Sequence, residues 1–380
     1  MSIKEMTLSE LMNDIDNALE SFQEYHEPAS LDEALIGILS ILNNVCVGME
    51  IKKYIYPELI RQLIATSKSA PPHYADYYKS ERSDDELRAQ VEYLRGLPQA
   101  SQRSPEWYRQ RQCTLGASET ATIFGLGGFG TERSLLRKKL GLSTDDYKSN
   151  KYTEHGVKYE PIIQQVYKIR ENCRELYEFG SLIHPTYSFI SASPDGITDS
   201  GRMLEIKAPY ARGIMGIPPP YYWSQMQQQM EVCNLEAVDY IECQIEETEG
   251  RQWLESGTPE GLHRNIDGHY RGVVRQSADG RYEYTELDAI RTMDDYKNWT
   301  SPSAKYFHWT MKIYSKFTVL RNRTWWNNNV VSLEKFWQKL EEYRNKPKAE
   351  CEVLLADPAK KPRITPESSK PSIVFDFVDD

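Results

Sequence analysis

The stretch SPDGITDSGRMLEIKA, Ser193 to Ala208, decides the reading of this chain, because it sets opposite charges inside an apolar run. In an extended strand, residues two apart share a face, so Glu205 and Lys207 lie on one side of LEIKA while Leu204, Ile206 and Ala208 take the other. Asp195 stands ten positions before Glu205 with Gly196 and Gly201 between them, which describes two adjacent strands joined by a tight turn. Folded that way, Asp195 and Glu205 converge on one point. Two hard carboxylates, a backbone carbonyl and waters suit Mg²⁺ or Mn²⁺ and not zinc. Lys207, on the face of Glu205, would orient a metal-bound water and stabilise charge growing on a phosphodiester.

Three further groups flank that core in order. Glu160 lies upstream in HGVKYEP, and Tyr222, Gln225 and Gln227 lie downstream in YYWSQMQQQM. Taken singly, each has a bland reading: Glu160 as an acid favouring a helix N-terminus, the glutamines as solvated helix positions, Tyr222 as core. Farther upstream, EWYRQRQCTLGASE carries Trp107, Arg111 and Ser118.

Together these pieces resemble the PD-(D/E)xK nuclease superfamily, with Pro194, Asp195, Glu205, Ile206 and Lys207 as its signature. Within it, the chain is similar to the lambda-exonuclease type of viral recombination nuclease, the alkaline exonucleases, over roughly Ser104 to Glu246. The resemblance implies an α/β restriction-endonuclease-like core, a mixed central sheet flanked by helices. It also implies a Mg²⁺-dependent 5′ to 3′ exonuclease on duplex DNA, with Mn²⁺ as a substitute, acting in recombination, repair or replication. Asp195, Glu205, the Ile206 carbonyl and Glu160 would be the metal ligands and Lys207 the group that positions the nucleophile. Trp107, Arg111 and Ser118 would frame a pocket for the 5′-phosphate, and Tyr222, Gln225 and Gln227 would position the site and the DNA backbone. A homotrimer and a single-strand annealing or replication protein are the implied partners. The rival readings are a structure-selective endonuclease of the same superfamily and a DNA-binding scaffold on a nuclease fold.

Composition is compatible with this. The 380 residues are 39% hydrophobic and 11% aromatic, enough for a large core. No run approaches the length of a membrane span, and MSIKEMTLSELMND lacks the apolar core of a signal peptide, so an intracellular setting is expected, host cytoplasm or nucleus for a viral protein. The six cysteines include no CxxC pair and the seven histidines no HExxH, which argues against zinc and against a disulfide framework. A net charge of −10 argues against nucleic-acid binding as a global sum, but gathered carboxylates can make a chain acidic while a basic groove remains.

Residues 1–97 read as a helical accessory domain: Leu8, Leu11, Met12, Ile15, Leu19 and Phe22 keep helical spacing, and capping boxes stand at Ser30 to Glu33 and Ser83 to Glu86. PQASQRS, residues 98–104, has linker composition, and 105–346 is the expected nuclease domain. Beyond Glu249 the signals weaken: a turn-rich GLHRNIDGHYRG is followed by segments read as helical around TMKIYSKF and LEKFWQKLEEYRNK. Residues 347–380 read as a disordered tail ending in SIVFDFVDD, a frayed end or a docking peptide. GLGGFG, Gly125 to Gly130, reads as a turn, and Arg133, Arg137, Lys138 and Lys139 as a solvated face or part of a basic channel.

Overall fold

A computed structural model describes residues 8–25, 30–32, 34–35, 38, 56–68, 82–126, 130–142, 150–214, 216–258, 261–265, 267–300 and 304–356. In chain order the strands are β1 (Leu115–Gly116), β2 (Leu176–Tyr177), β3 (Leu182–Ile183), β4 (Ile190–Ala192), β5 (Gly196–Thr198), β6 (Arg202–Lys207), β7 (Ala237–Thr248), β8 (Gly257–Thr258), β9 (Gly261–Asn265), β10 (Arg271–Gln276), β11 (Tyr282–Glu283) and β12 (Lys305–Leu320). Seven of them form a central mixed sheet in the order β11-β10-β12-β7-β6-β5-β2, with β6 and β7 its parallel pair. A smaller sheet, β1-β4-β3, stands beside it.

The expected hairpin is present. β5 and β6 run antiparallel with Gly196 opposite Leu204 and Ile197 opposite Met203. The turn between them needs Gly201, whose φ of +82° lies in the left-handed region and whose added Cβ would meet Leu87 Cβ at 3.1 Å. From β6 the chain crosses through the helix Pro220–Cys233 and returns as β7, the parallel β-α-β connection that an α/β core requires.

Alternation along these strands divides the core in two. Met203, Val238 and Tyr240 pack with Trp223, Met226 and Met230 of that helix, while Leu204, Ile206, Ile241 and Cys243 pack with Tyr159, Ile162, Ile163 and Val166 of the helix Lys151–Arg170. The sheet is therefore covered by a helix on each face, as in a restriction-endonuclease-like core. That geometry fixes the site: residues of odd number on β6 face one helix, and Glu160 approaches from the other.

Four sequence expectations need correction. TMKIYSKF is not helical but lies within β12, which pairs antiparallel along β7 from His308–Thr248 to Leu320–Ala237. Its wealth of Tyr, Phe, Trp, Thr and Val suits a strand, and the second edge of β7 offers its backbone groups partners on both sides of a bulge between Met311 and Ile313. LEKFWQKLEEYRNK is helical as expected up to Arg344, the end of the helix Arg323–Arg344. The expected disordered tail is ordered at its start: Lys348–Leu354 is a helix, Cys351 and Leu355 are buried, and Arg133 and Arg137 donate to the Ala356 and Leu355 carbonyls, each at 3.1 Å.

The expected linker 98–104 is an ordered brace. Ser181 N donates to the Ala100 carbonyl at 3.0 Å, and Gln102 Nε2 donates to the Phe179 and Pro194 carbonyls at 3.3 and 3.2 Å. A Cβ at Gly180 would meet the Ala100 oxygen at 2.0 Å, so the brace sits too close for any side chain there. No gap in the core marks the proposed domain boundary among the described residues: Ile15, Leu19, Ile60, Leu63, Val91 and Leu94 belong to the cluster that holds Met203, Met226 and Val319. Polar ties reinforce it, with Gln90 Nε2 donating to the Cys233 carbonyl at 2.9 Å and Gln62 bonding Thr318 and Leu320 of β12.

The helix Leu8–Tyr25 and the capping box at Ser83–Glu86 match expectation. The box at Ser30–Glu33, half of GLGGFG and the closing SIVFDFVDD lie outside the described residues, the box only at Glu33. Among the described residues no helix is long and apolar enough to cross a membrane, and the five described cysteines are free.

Candidate active site

Glu205 is 1% exposed, and burying a carboxylate costs several kcal/mol unless it is paired and hydrogen-bonded. It is so satisfied. Gln225 Nε2 donates to Oε1 at 2.8 Å, Gln229 Nε2 donates to Oε2 at 2.7 Å, and Lys207 Nζ pairs with Oε1. The Lys207 ammonium also lies 4.4 Å from the centre of the Tyr222 ring. Burial disfavours that ammonium, but Glu205, Tyr222 and Asp195 outweigh it and hold its pKa above the ordinary lysine value.

Asp195 enters from the hairpin's other strand. Its N–H donates to the Leu204 carbonyl at 3.3 Å and its Oδ2 accepts from Ile206 N at 2.7 Å. In an extended strand a residue's N–H and C=O leave on the same side, so the Ile206 carbonyl is directed toward Asp195 as well. The Asp195 carbonyl accepts from Gln164 Nε2 at 2.7 Å, tying the hairpin to the Glu160 helix. Glu160 itself pairs through Oε2 with Arg103 Nη2 at 3.0 Å.

The electrostatics follow from this crowding. Burial pushes the Asp195 carboxyl well above its ordinary range, and the charges of Glu205 and Glu160 push the same way against Lys207 and the Ile206 N–H. Burial also raises Glu160, with Arg103 opposing and Glu205 assisting. Three carboxylates thus feel one another, and the two cations at hand do not balance them. Among the described residues no three His, Cys, Asp or Glu side chains already stand close enough to enclose an ion. Two of the oxygens that would serve are occupied, Glu205 Oε1 by Lys207 and Glu160 Oε2 by Arg103. The donor set itself, hard oxygens with unbalanced negative charge, fits Mg²⁺ or Mn²⁺.

Most of the residues expected at the site gather there, but Gln227 does not. Its Nε2 donates to the Leu320 carbonyl at 2.9 Å and its Oε1 accepts from Asn322 N at 2.7 Å, so it joins β12 to the following helix on the opposite side. The physical reason is helical period: Gln225 and Gln229 are four apart and share a face, while Gln227 points away. Gln229, 1% exposed, is the partner of Glu205 that the sequence reading missed.

The upstream residues form a second cluster. Arg111 Nη2 donates to Ser118 Oγ at 3.0 Å, and the guanidinium stacks 4.6 Å from the Trp107 ring centre. Trp107 Nε1 donates to Ser193 Oγ at 3.0 Å, two residues before Asp195, so this cluster is tied to the carboxylate hairpin. Gly116 completes it, since a Cβ there would stand 3.3 Å from Arg111 Nη2.

A buried acid, Glu119, sits behind these groups and was not singled out in the sequence. Lys139 meets it at 2.7 Å and Lys138 at 3.0 Å. Although burial opposes its ionisation, Lys139, Lys138 and Arg111 hold its carboxyl below the usual range. Arg133, Arg137, Lys138 and Lys139 each bond within the protein, Lys138 while remaining exposed.

Residues 106–236 match the YqaJ-like viral recombinase domain. The resemblance to PD-(D/E)xK viral recombination nucleases holds, and the span includes Trp107, Arg111, Ser118, Glu160, Asp195, Glu205, Lys207, Gln225 and Gln229. An uncharacterised protein of Acanthamoeba polyphaga mimivirus is 32% identical over 205 residues, which is 48% of this chain and 37% of that one. The chain thus spans little more than a third of that relative's length. Among solved structures, the alkaline exonuclease LHK-Exo of Laribacter hongkongensis is 19% identical, covering 66% of this chain and 96% of its own, with a TM-score of 0.40. A phage-related exonuclease from Haemophilus somnus is 14% identical, covering 61% and 96%, with a TM-score of 0.32.

Proposed function

We propose that this protein is a divalent-metal-dependent nuclease that degrades duplex DNA from 5′ ends in viral or phage-type recombination and repair. The observation that carries the reading is that Glu205 and Glu160 lie near enough to Asp195 for their charges to push its carboxyl up, with Lys207 paired to Glu205 among them. Asp195, Glu205, the Ile206 carbonyl and Glu160 would hold the metal, which would supply an activated water and charge neutralisation at the phosphodiester.

The chain's own groups do the rest. Gln225 and Gln229 lock the Glu205 carboxylate, so its free lone pairs keep one direction. Lys207, braced by Tyr222, directs the attacking water at phosphorus and donates to the oxygen on which negative charge grows. The bond to the 3′ oxygen breaks, and that oxygen leaves with a proton from solvent. Arg111 and Ser118 would take a terminal 5′-phosphate, with Trp107 holding the fork in register with Ser193 and so with Asp195. An annealing protein would receive the strand left exposed, and a homotrimer would keep the enzyme on its track.

One observation favours a second reading, an endonuclease indifferent to ends: ionised Glu119 already offsets part of the positive charge around Arg111. An end-labelled linear duplex carrying a 5′-phosphate or a 5′-hydroxyl, set against a closed circle, separates the two. Loss of strand from phosphorylated ends supports the exonuclease, and cutting of the circle supports the endonuclease. No cutting in Mg²⁺ or Mn²⁺ refutes both.

A further inference from the structure

We propose that Arg103 is a backbone contact for the substrate, taking a nucleic-acid phosphate beside the one being hydrolysed; this rests on the nuclease reading. Arg103 lies just upstream of the matched span 106–236, inside the segment whose composition reads as a linker. Its φ is +64°, in the left-handed region where a residue with a side chain is strained. Neighbours hold it there: Gln102 is bonded to the Phe179 and Pro194 carbonyls, and Ser104 caps the next helix by accepting from Trp107 N at 3.1 Å. A turn that needed only this backbone shape would be better served by glycine.

What the strained backbone achieves is the placement of a guanidinium at the rim of the carboxylate cluster. Arg103 Nη2 donates to Glu160 Oε2 at 3.0 Å, and the side chain remains 48% exposed. A guanidinium has five N–H donors, and Glu160 engages one nitrogen of the fork. Lys207, the other cation at the cluster, is turned inward onto Glu205 beneath Tyr222 and is 23% exposed. Of the two, Arg103 is the one open to an approaching strand. A backbone that brings one phosphate to Asp195 and Glu205 carries its neighbouring phosphates across this rim, and a planar fork with free donors suits a phosphate.

The test is binding of a fluorescently labelled duplex by the full chain in EDTA, measured by anisotropy across a salt series for wild type, Arg103→Gly and Arg103→Lys. Glycine accepts the positive φ, so that variant keeps the turn, and its melting temperature reports separately what the loss of the Glu160 pairing costs. Arg103→Gly should bind roughly tenfold more weakly at low salt, with the slope of log affinity against log salt shallower by about 0.9, one phosphate contact. Arg103→Lys should keep the slope and lose part of the affinity. An unchanged slope and affinity in Arg103→Gly, even with slower cleavage, would confine Arg103 to bracing Glu160 and overturn the proposal while leaving the nuclease standing. A wild type that neither binds duplex nor cuts it in Mg²⁺ would overturn both.

Discussion

Glu205 and Glu119 are two buried glutamates, 1% and 6% exposed, each facing a lysine, and their surroundings carry opposite charge balances. Around Glu205 the carboxylates prevail, because Asp195 and Glu160 join it and only Lys207 and Arg103 oppose them. Around Glu119 the cations prevail, with Lys138, Lys139 and Arg111 about one acid. The pKa directions report the same split: burial and like charge raise Asp195, whereas cations hold Glu119 down despite burial. A chain of net charge −10 has thus sorted its charges into a corner suited to a cation and a corner suited to an anion, tied by the Trp107–Ser193 bond.

The largest expected effect lies at the cation corner. Lys207→Ala and Glu205→Gln should each lower the rate of duplex degradation by at least about 10²–10³-fold. Retention of wild-type rate by either would break the comparison at its acidic end. At the cationic end, Glu119→Gln should cost about 3–5 kcal/mol in urea unfolding, because it leaves buried Lys139 without its acid. A loss well below 1 kcal/mol would show that the Lys139 contacts to the Arg111 and Thr114 carbonyls suffice alone.

A smaller effect separates the two faces of one helix. Gln229→Ala should slow cleavage roughly tenfold by freeing Glu205 to turn, while Gln227→Ala should leave cleavage intact and cost about 1 kcal/mol of stability. Equal kinetic losses from both would mean that the helix as a whole, and not the face holding Glu205, supports the site.

These glutamines show what a single sequence conveys and where it stops. The hairpin was legible because glycine at 201 and the spacing from Asp195 to Glu205 leave few alternatives, and the order of motifs pointed to the acids and Lys207. That Trp107, Arg111 and Ser118 stand together was legible for the same reason. Gln229 was hidden in a run of glutamines that only helical phase distinguishes. Arg103 was hidden because its segment has the composition of a linker, and only the contacts of Ala100 and Gln102 reveal a brace. β12 was misread because its lysines and aromatics lack clean alternation, and pairing with the distant β7 decides its state. The start of the tail was misread because two arginines and a buried cysteine order a polar stretch.

Thermal unfolding with and without Mn²⁺ decides whether the acidic corner is a divalent-cation site. Because the Asp195 pKa is raised in the folded protein, the native state holds that proton more tightly than the unfolded chain does. Its contribution to stability is present at low pH and is lost as pH rises through the raised value. At neutral pH in EDTA, Asp195→Asn should therefore melt above wild type. Added Mn²⁺ should raise the wild-type melting temperature and leave Asp195→Asn nearly unmoved. Equal shifts with Mn²⁺ in both proteins, or none in wild type, would mean that Asp195 does not help to hold a divalent cation there.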